Sequence, residues 1–301
     1  MKIAIIGAGA IGTLFAGLLA RSENDISILV KTRKTENIIS SNGIKITGLS
    51  KFYVPPSKLQ ITTNPKFIIN PDLIIILVKS YNTLSVLPSL KNMIGENTYV
   101  LTLQNGIGNY QNIIKSINKK KVLVGVTSES AIFKKYGEVE HTGKGETIIG
   151  NRNNVTGKEI ARVFSICGIR ASLNEKIDSV MWSKLVLNCA INPVAALSEV
   201  KNGDIINYQN LKEISIGAGK EVMAVAGKLG IKLLFKDVTV KITEVCKSTS
   251  KNINSMLVDV KKARETEIEY MNGAVVKIAE RNKIPVFVNN SLYQMVKNIG
   301  G

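Results

Sequence analysis

Residues 1–12 read MKIAIIGAGAIG, a short apolar run that leads into glycines spaced as Gly7-x-Gly9-x-x-Gly12. Apolar residues recur with helical spacing over 14–19, so the stretch predicts a strand, a glycine turn and a helix. In this context the glycines permit a tight turn, close approach of backbone to a pyrophosphate, and close helix–strand packing. The phosphates would lie at the helix N-terminus, where free N–H groups and the dipole favour anions. We therefore predict a dinucleotide site formed by Gly7, Ala8, Gly9, Ala10, Ile11 and Gly12.

Further apolar runs follow along the N-terminal half of the chain, at 26–30, 72–78 and 98–103. Their apolarity is continuous rather than alternating, which is typical of parallel strands covered by helices on both faces. The segments 122–126, 138–142 and 146–150 are expected to extend this sheet as late strands and a hairpin. The pattern predicts a Rossmann-type α/β domain over residues 1–172.

From about residue 173 the pattern changes to long helical periods, at 178–191, 210–230 and about 259–282. Pro193 should end or kink the first helix, because proline cannot donate the helical hydrogen bond. We predict an all-α domain over residues 173–301, with a ligand cleft between it and the α/β domain.

The composition is that of a globular protein, with 301 residues, 45% hydrophobic and 21% charged. The apolar runs are shorter than the roughly 20 residues of a membrane helix, and the N-terminus lacks the features of a signal peptide. Only three cysteines occur, widely spaced, which excludes a disulfide framework and a CxxC metal site. We expect a cytoplasmic protein with no membrane partner and no metal.

The formal net charge is +17, which suits anionic partners in general. The longest basic run is only Lys119-Lys120-Lys121, and no stacking-aromatic motif of RNA-binding proteins is present. A lysine-rich solvated surface explains the charge better than a nucleic-acid partner, which we do not expect.

The residues after the second strand bear on the choice of nicotinamide cofactor. NAD sites usually place an acid here to hold the ribose 2′-hydroxyl, but this chain has Lys31, Arg33 and Lys34 before its first acid, Glu36. Cations suit a 2′-phosphate, so we predict NADPH, with Lys31 as the main contact and Arg33 in support. NADH is left open, and Lys34 is better explained as a solvated residue.

Two other strand ends carry polar groups, where open α/β sheets bind ligands. Lys79 follows 72–78, and Gln104-Asn105-Gly106 follows 98–103. Lys79 and Asn105 could hold the nicotinamide side of a cofactor or a substrate carboxylate. An ordinary Asn-Gly turn is the alternative explanation.

The segment 182–193 reads WSKLVLNCAINP and places Lys184, Asn188 and Asn192 at i, i+4 and i+8. This spacing aligns them on one helix face, and the residues between them are almost all apolar. Polar side chains on a buried helix need polar surroundings, so we predict a cavity in which Lys184 donates a proton. The alternative is that this face is the solvent side of an amphipathic helix.

Three further positions, Ser255, Glu267 and His141, are considered as candidate site residues. Ser255 precedes Glu267 by twelve residues, which would be about 18 Å on a straight helix and too far for one small molecule. If Asp259 caps the helix instead, Ser255 lies in a loop that can fold back. His141, the only histidine, lies in a hairpin-like stretch and is better explained as structural than catalytic.

Taken together, these segments make the chain resemble the ketopantoate reductase family from end to end. The matching segments are 7–12, VKSYN at 78–82, LQNGIGN at 103–109, HTGKGETIIG at 141–150, 182–193, Asn202-Gly203, and 255–273. The resemblance implies reduction of 2-dehydropantoate, a small keto acid, to pantoate with NADPH, in pantothenate and coenzyme A synthesis. It leaves a homodimer open.

The resemblance also implies roles for individual residues. Lys184 would be the proton donor, and Glu267 would hold its ammonium. The substrate contacts would be Asn105, Lys184, Asn188, Asn192, Asn202 and Ser255. The cofactor side would be completed by Lys79, Asn105, Ala131 and Glu267. One departure is Lys31, where many members carry an arginine, which binds phosphate with more geometric specificity.

Two alternatives remain on the sequence alone. One is another NAD(P)-dependent hydroxyacid dehydrogenase of similar build, although LQNG at 103–106 and the 255–273 segment favour the reductase. The other is a non-enzymatic dinucleotide-binding regulator, against which the retention of Lys184 speaks.

Overall fold

The computed structural model describes residues 1–150 and 154–299 of the chain. The strands are β1 Lys2–Ile6, β2 Asp25–Leu29, β3 Ile44–Gly48, β4 Phe52–Val54, β5 Leu59–Thr62, β6 Leu73–Ile76, β7 Tyr99–Thr102, β8 Val122–Thr127, β9 Ser130–Lys135, β10 Glu138–Gly143, β11 Thr147–Gly150 and β12 Ala171–Asn174. The helices are α1 Ala10–Leu19, α2 Arg33–Asn42, α3 Thr83–Lys91, α4 Asn109–Ile113, α5 Asn154–Ile166, α6 Ile177–Ser198, α7 Gln209–Lys228, α8 Val238–Ser248, α9 Ser255–Lys261, α10 Asn272–Arg281 and α11 Phe287–Ile299.

The main sheet has eight strands in the order β12-β11-β8-β7-β6-β1-β2-β5. All neighbours are parallel except β8 and β11, which pair antiparallel. In central strand β1, Ile3 and Ile5 pack into one hydrophobic core, and Ala4 and Ile6 pack into another on the opposite face. The continuous apolar runs therefore predicted the sheet correctly, because both of its faces are covered.

A second sheet has four strands in the order β4-β3-β10-β9 and packs on α1. A Cβ on Gly17 of α1 would lie 3.1 to 3.2 Å from Ile44 and Ile46 of β3, so the contact is close. The expectation that 138–142 extends the main sheet is wrong, because β10 pairs with β3 and β9. α1 is buried on nearly all sides, and a helix of this kind needs a second layer to cover it.

The chain folds as two compact units. The first contains 1–104 and 109–177, and the second contains 105–108 and the chain from 178 onward, which differs somewhat from the predicted division after 172. Position 172 lies inside β12, which pairs with β11. Loop 105–108 joins the helical unit because Ile107 N donates to Tyr270 O at 2.9 Å and the Ile107 side chain enters the helical core.

Helix α6 runs through Pro193 to Ser198, so the predicted end of this helix near 191 is wrong. Among the described residues it is the one helix long and apolar enough to cross a membrane, which sequence analysis did not expect. However, 72% of its most apolar stretch is buried inside the protein, as expected for a core helix.

The single helix predicted over 259–282 is also wrong. α9 ends at Lys261, where Ala263 takes a φ of +47° and Arg264 N donates to Asp259 O at 2.9 Å. A bond of this kind closes a helix end by satisfying a terminal carbonyl. The N-cap of α9 is Asn254, whose side chain accepts from Leu257 N at 3.0 Å, and not Asp259. The straight-helix distance between Ser255 and Glu267 therefore does not apply.

Candidate functional site

The glycine turn after β1 has a different steric reason for each glycine. Gly7 has a φ of +104°, a conformation that disfavours other residues. A Cβ on Gly12 would lie 1.9 Å from Gly7 O. The helix can therefore lie this close to the turn only if residue 12 is glycine. A Cβ on Gly9 would meet none of the described residues within 4 Å. The space beside Gly9 is therefore open to a ligand.

Helix α1 begins at Ala10 with Gly9 as its N-cap, and no side chain in the described part of the chain caps it. The first N–H groups of a helix have no intrahelical partners and carry the positive end of the dipole. An uncapped start beside open space fits the pyrophosphate of a dinucleotide. Residues 7–12 thus have the local geometry that their spacing predicted.

At the end of β2 the structure separates the two predicted phosphate contacts. Lys31 is exposed and makes no hydrogen bond or ion pair within the described part of the chain. Arg33 instead donates to both carboxylate oxygens of Glu36, at 2.9 and 3.0 Å. Glu36 also accepts from Thr63 N and Oγ1 at 3.0 and 2.7 Å, and these bonds, with Arg33, lower the pKa of its carboxyl group. This arrangement was not predicted, because Thr63 is distant from Arg33 and Glu36 in the sequence.

A buried hydrogen-bond network connects the loops after β6 and β7. Gln104 Nε2 donates to Val78 O and to Thr83 Oγ1, both at 2.9 Å, and Thr83 Oγ1 donates to Asn109 Oδ1 at 2.9 Å. The network fixes the backbone on either side of Lys79, which begins the short 3-10 turn 80–82. Lys79 was predicted from its position after a strand, whereas the supporting roles of Gln104, Thr83 and Asn109 were not.

In the helical unit, Lys184, Asn105 and Glu267 come together. Lys184 Nζ donates to Asn105 Oδ1 at 3.0 Å, and Asn105 Nδ2 donates to Glu267 Oε2 at 3.5 Å. Burial lowers the pKa of Lys184 to about 8, against the opposing charge of Glu267. Glu267 itself is only 5% exposed. The side-chain amide of Asn105 thus connects the ammonium group of Lys184, whose pKa is lowered, to the buried carboxyl group of Glu267.

The other predicted substrate residues fall into two groups. Asn188 and Asn192 continue the face of α6 that carries Lys184, and Asn192 is buried with its Nδ2 3.8 Å from Met271 Sδ. Asn202 donates to Thr249 Oγ1 at 3.1 Å, and its Oδ1 accepts from Asn254 Nδ2 at 3.2 Å. Ser255 follows Asn254 and is exposed. The described hydrogen bonds therefore place Asn202 near Ser255 and do not join either residue to Lys184.

Ala131 lies on β9 of the second sheet, where it pairs with His141 of β10. His141 is buried, with Nε2 2.6 Å from Glu129 Oε2 and Nδ1 2.9 Å from Ser50 Oγ. Burial raises the pKa of Glu129, and its bond to His141 opposes that rise. This buried pair agrees with a structural role for His141. Glu129 was not predicted as a partner, because it has no regular spacing to His141.

The sequence was compared with protein families and with individual proteins. The profile "Ketopantoate reductase PanE/ApbA" matches residues 3–154, and its C-terminal counterpart matches 176–300. The 2-dehydropantoate 2-reductase of Pyrococcus horikoshii is 35% identical over 308 aligned residues, covering 100% of this chain and 99% of that protein. The chain belongs to the ketopantoate reductase family. The resemblance inferred from the sequence motifs is confirmed.

Solved structures agree with this family assignment. The 2-dehydropantoate 2-reductase of Geobacter metallireducens matches with a TM-score of 0.93 and 25% identity, covering 99% of each chain. D-mandelate dehydrogenase, in a ternary structure with NADH and anilino(oxo)acetate, matches with a TM-score of 0.91 at 24% identity, covering 100% of this chain and 98% of that one. The second likeness concerns the fold alone. The predicted Rossmann-type fold and helical C-terminal domain are confirmed, and the family assignment favours an oxidoreductase over a regulator.

Proposed function

We propose that this ketopantoate reductase family member reduces 2-dehydropantoate to pantoate with NADPH, as a step of pantothenate and coenzyme A synthesis. The observation that carries the proposal is the Lys184–Asn105–Glu267 arrangement in a chain that matches the family over its whole length. A cytoplasmic location is part of the same proposal, because all three cysteines are free thiols, as in reducing compartments.

Bound NADPH supplies the hydride for the reduction. As the keto carbon is reduced, negative charge collects on the ketone oxygen and must be met by a cation or a proton. Lys184 provides both. With a pKa of about 8 it is still protonated at neutral pH, yet it releases its proton more readily than a lysine in water.

Asn105 and Glu267 serve Lys184 in this proposal. The Asn105 carbonyl oxygen accepts one Nζ hydrogen and so fixes the direction of the other two. Glu267 keeps negative charge near the ammonium and maintains its protonated form. Asn188 and Asn192 lie one and two helical turns further along α6, where their amides would hold substrate oxygens.

The function is tested by mixing purified protein with NADPH and 2-dehydropantoate and following NADPH oxidation. Lys184→Ala should lower kcat by about 10²-fold or more, the range for loss of a general acid, with the affinity for NADPH retained. An aryl keto acid serves as the competing substrate, because the fold is shared with D-mandelate dehydrogenase. Preferred turnover of the aryl keto acid, or near-normal kcat in the alanine variant, would contradict the proposal.

We also propose that NADPH is preferred to NADH because of Lys31, with Arg33 in support. The support is that Lys31 is exposed without an acidic partner among the described residues, whereas Glu36, the first acid after it in the sequence, is engaged by Arg33 and Thr63. Lys31→Ala, alone and with Arg33→Ala, should raise the KM for NADPH far more than the KM for NADH. Lys34→Ala is the matched control, expected to change neither. An equal loss for both cofactors would remove the 2′-phosphate from the proposal.

A further inference from the structure

Pro193 directly follows Asn192 in α6, and it removes one helical hydrogen bond beside the face that carries Asn188 and Asn192. In an α-helix the N–H of residue 193 would donate to the carbonyl of Cys189, but proline has no N–H. Cys189 is fully buried, so water is not at hand to satisfy its carbonyl. A buried carbonyl without a partner is costly.

Asn272 satisfies this carbonyl from another element. Its Nδ2 donates to Cys189 O at 3.1 Å and to Asn289 Oδ1 at 3.0 Å, which uses both amide hydrogens. Asn272 and Asn289 are both 0% exposed. The opposite orientation of the Asn272 amide would place its oxygen against two acceptors, so the donors must face this way. Asn272 Oδ1 has no hydrogen-bond partner among the described residues. The two bonds donated by Nδ2 are therefore the hydrogen bonds that this side chain makes.

The amide is itself held in place by the elements behind it. Asn289 Nδ2 donates to Ala218 O at 2.9 Å and to Glu221 Oε2 at 2.7 Å, which fixes Asn289 Oδ1 as the acceptor for Asn272. Helices α6, α7, α10 and α11 are thereby joined through one buried chain of hydrogen bonds.

Asn272 also begins the helix that follows the Glu267 segment. Tyr270 N donates to Glu267 O at 3.0 Å, and Tyr270 O accepts from Ile107 N at 2.9 Å, in the loop that carries Asn105. A Cβ on Gly106 would lie 2.2 Å from Tyr270 O, so this contact is close. The segment 267–272 therefore contacts the Asn105 loop through Tyr270 and α6 through Asn272.

We propose that Asn272 is a positioning residue that replaces the helical hydrogen bond lost at Pro193 and so fixes Asn188 and Asn192 of α6 relative to the Glu267 segment. As a functional statement the inference rests on the proposed reductase activity. Asn272 would not contact the substrate itself; it would affect substrate binding by fixing the position of α6.

The test is a double-mutant cycle that restores the missing N–H. Asn272→Ala should raise the KM for 2-dehydropantoate about five- to tenfold, the effect of about one buried hydrogen bond, with kcat and NADPH affinity nearly unchanged. Pro193→Ala gives residue 193 an N–H that can bond Cys189 O, so it should behave almost as wild type. In the double variant the KM should return most of the way to the wild-type value and most of the lost thermal stability should be recovered, because the amide donor is no longer needed.

Asn289→Ala is the matched control, because it breaks the same buried chain without touching the Cys189 carbonyl. It should lower the unfolding midpoint, and Pro193→Ala should not rescue it. The inference is overturned if the double variant is no better than Asn272→Ala, or if Asn289→Ala is rescued equally. Should Asn272→Ala not fold, Asn272→Ser takes its place in the cycle.

The two proposals fail in different ways. If wild-type protein does not reduce 2-dehydropantoate, the proposed function fails, and recovery of the unfolding midpoint alone decides for or against the hydrogen-bond replacement. If wild-type protein is active and the cycle shows no coupling, the inference on Asn272 fails and the function stands.

Discussion

At the scale of single residues, the behaviour of Lys184 depends on two opposing effects. Burial favours the neutral amine, the negative charge of Glu267 favours the ammonium, and the balance places the pKa at about 8. The first effect follows from the apolar sequence around Lys184. The second depends on residues 267 and 105, which reach Lys184 only in the folded chain.

This balance predicts the pH dependence of turnover. Only the ammonium form can donate a proton, so kcat for reduction should be constant below about pH 8 and fall above it, by about tenfold per pH unit. Glu267→Gln removes the charge that raises the pKa of Lys184, so the decline should begin at lower pH. Glu265→Gln, on the exposed part of the same segment, is the control and should leave the profile in place. Identical profiles in all three proteins would show that Lys184 is not the titrating acid.

The buried Glu129–His141 pair makes a second prediction at this scale. His141→Leu leaves the Glu129 carboxylate buried without its partner, which should cost about 3 to 5 kcal/mol of unfolding free energy. Burial raises the pKa of Glu129, so the folded state binds the proton more tightly than the unfolded state. The stability of this variant should therefore be greater near pH 5 and be lost as the pH rises through the raised pKa. Denaturant unfolding at several pH values measures it.

A second substitution separates charge from packing at this site. Adding Glu129→Gln to His141→Leu removes the buried charge and should abolish the pH dependence. A double variant that retained the same pH dependence would assign the titration to another group.

At the scale of elements, α1 lies between the two sheets and begins at the glycine turn. It has ten residues and no charged side chain, and its burial follows from packing against both layers. The strand, turn and helix could be read from local sequence. The second layer could not, because about 80 to 90 residues of intervening chain separate β3 from β9 and β10.

Two alanine substitutions in the glycine turn should affect different properties, one the stability of the protein and the other its affinity for NADPH. Gly12→Ala places a Cβ 1.9 Å from Gly7 O, so it should lower the unfolding free energy by about 1 to 3 kcal/mol, as overpacking does. Gly9→Ala meets no atom within 4 Å and should leave stability unchanged. It should nevertheless weaken NADPH binding, because its methyl group enters the space expected for the pyrophosphate. Thermal unfolding and cofactor titration separate the two effects, and unaltered binding in Gly9→Ala would contradict this placement.

At the scale of the whole molecule, the net charge of +17 concerns association rather than fold. Both proposed ligands are anions, and a cationic protein attracts them over about a Debye length, roughly 8 to 10 Å at physiological salt. The broad distribution of lysines predicts attraction without a single binding stripe.

The charge predicts a dependence on ionic strength. Raising KCl from about 20 to 500 mM should lower kcat/KM for 2-dehydropantoate several-fold, because screening weakens attraction over more than a Debye length. The kcat at saturating substrate should change little. Glycerol added to equal viscosity at low salt controls for slower diffusion. A kcat/KM independent of salt would mean that the charge does not contribute to substrate association.

Features whose causes lie within one turn of helix or one strand follow from the local sequence alone. The order strand, glycine turn, helix follows from residues 1–19, and the alignment of Lys184, Asn188 and Asn192 follows from their spacing of four. The continuous apolar runs determined the parallel sheet. The family motifs added the identities of Asn105 and Glu267, which spacing alone does not connect to Lys184.

Contacts between residues that are distant along the chain depend instead on the tertiary fold. It brought Asn105 to Lys184 across 79 positions and His141 to Glu129 in a second sheet, and it carried α6 through Pro193. Local rules predict that the helix ends or kinks at that proline, because they consider only the missing N–H. The Asn272 amide supplies a donor from 83 residues away. Burial makes such a bond necessary, and packing alone determines which side chain provides it.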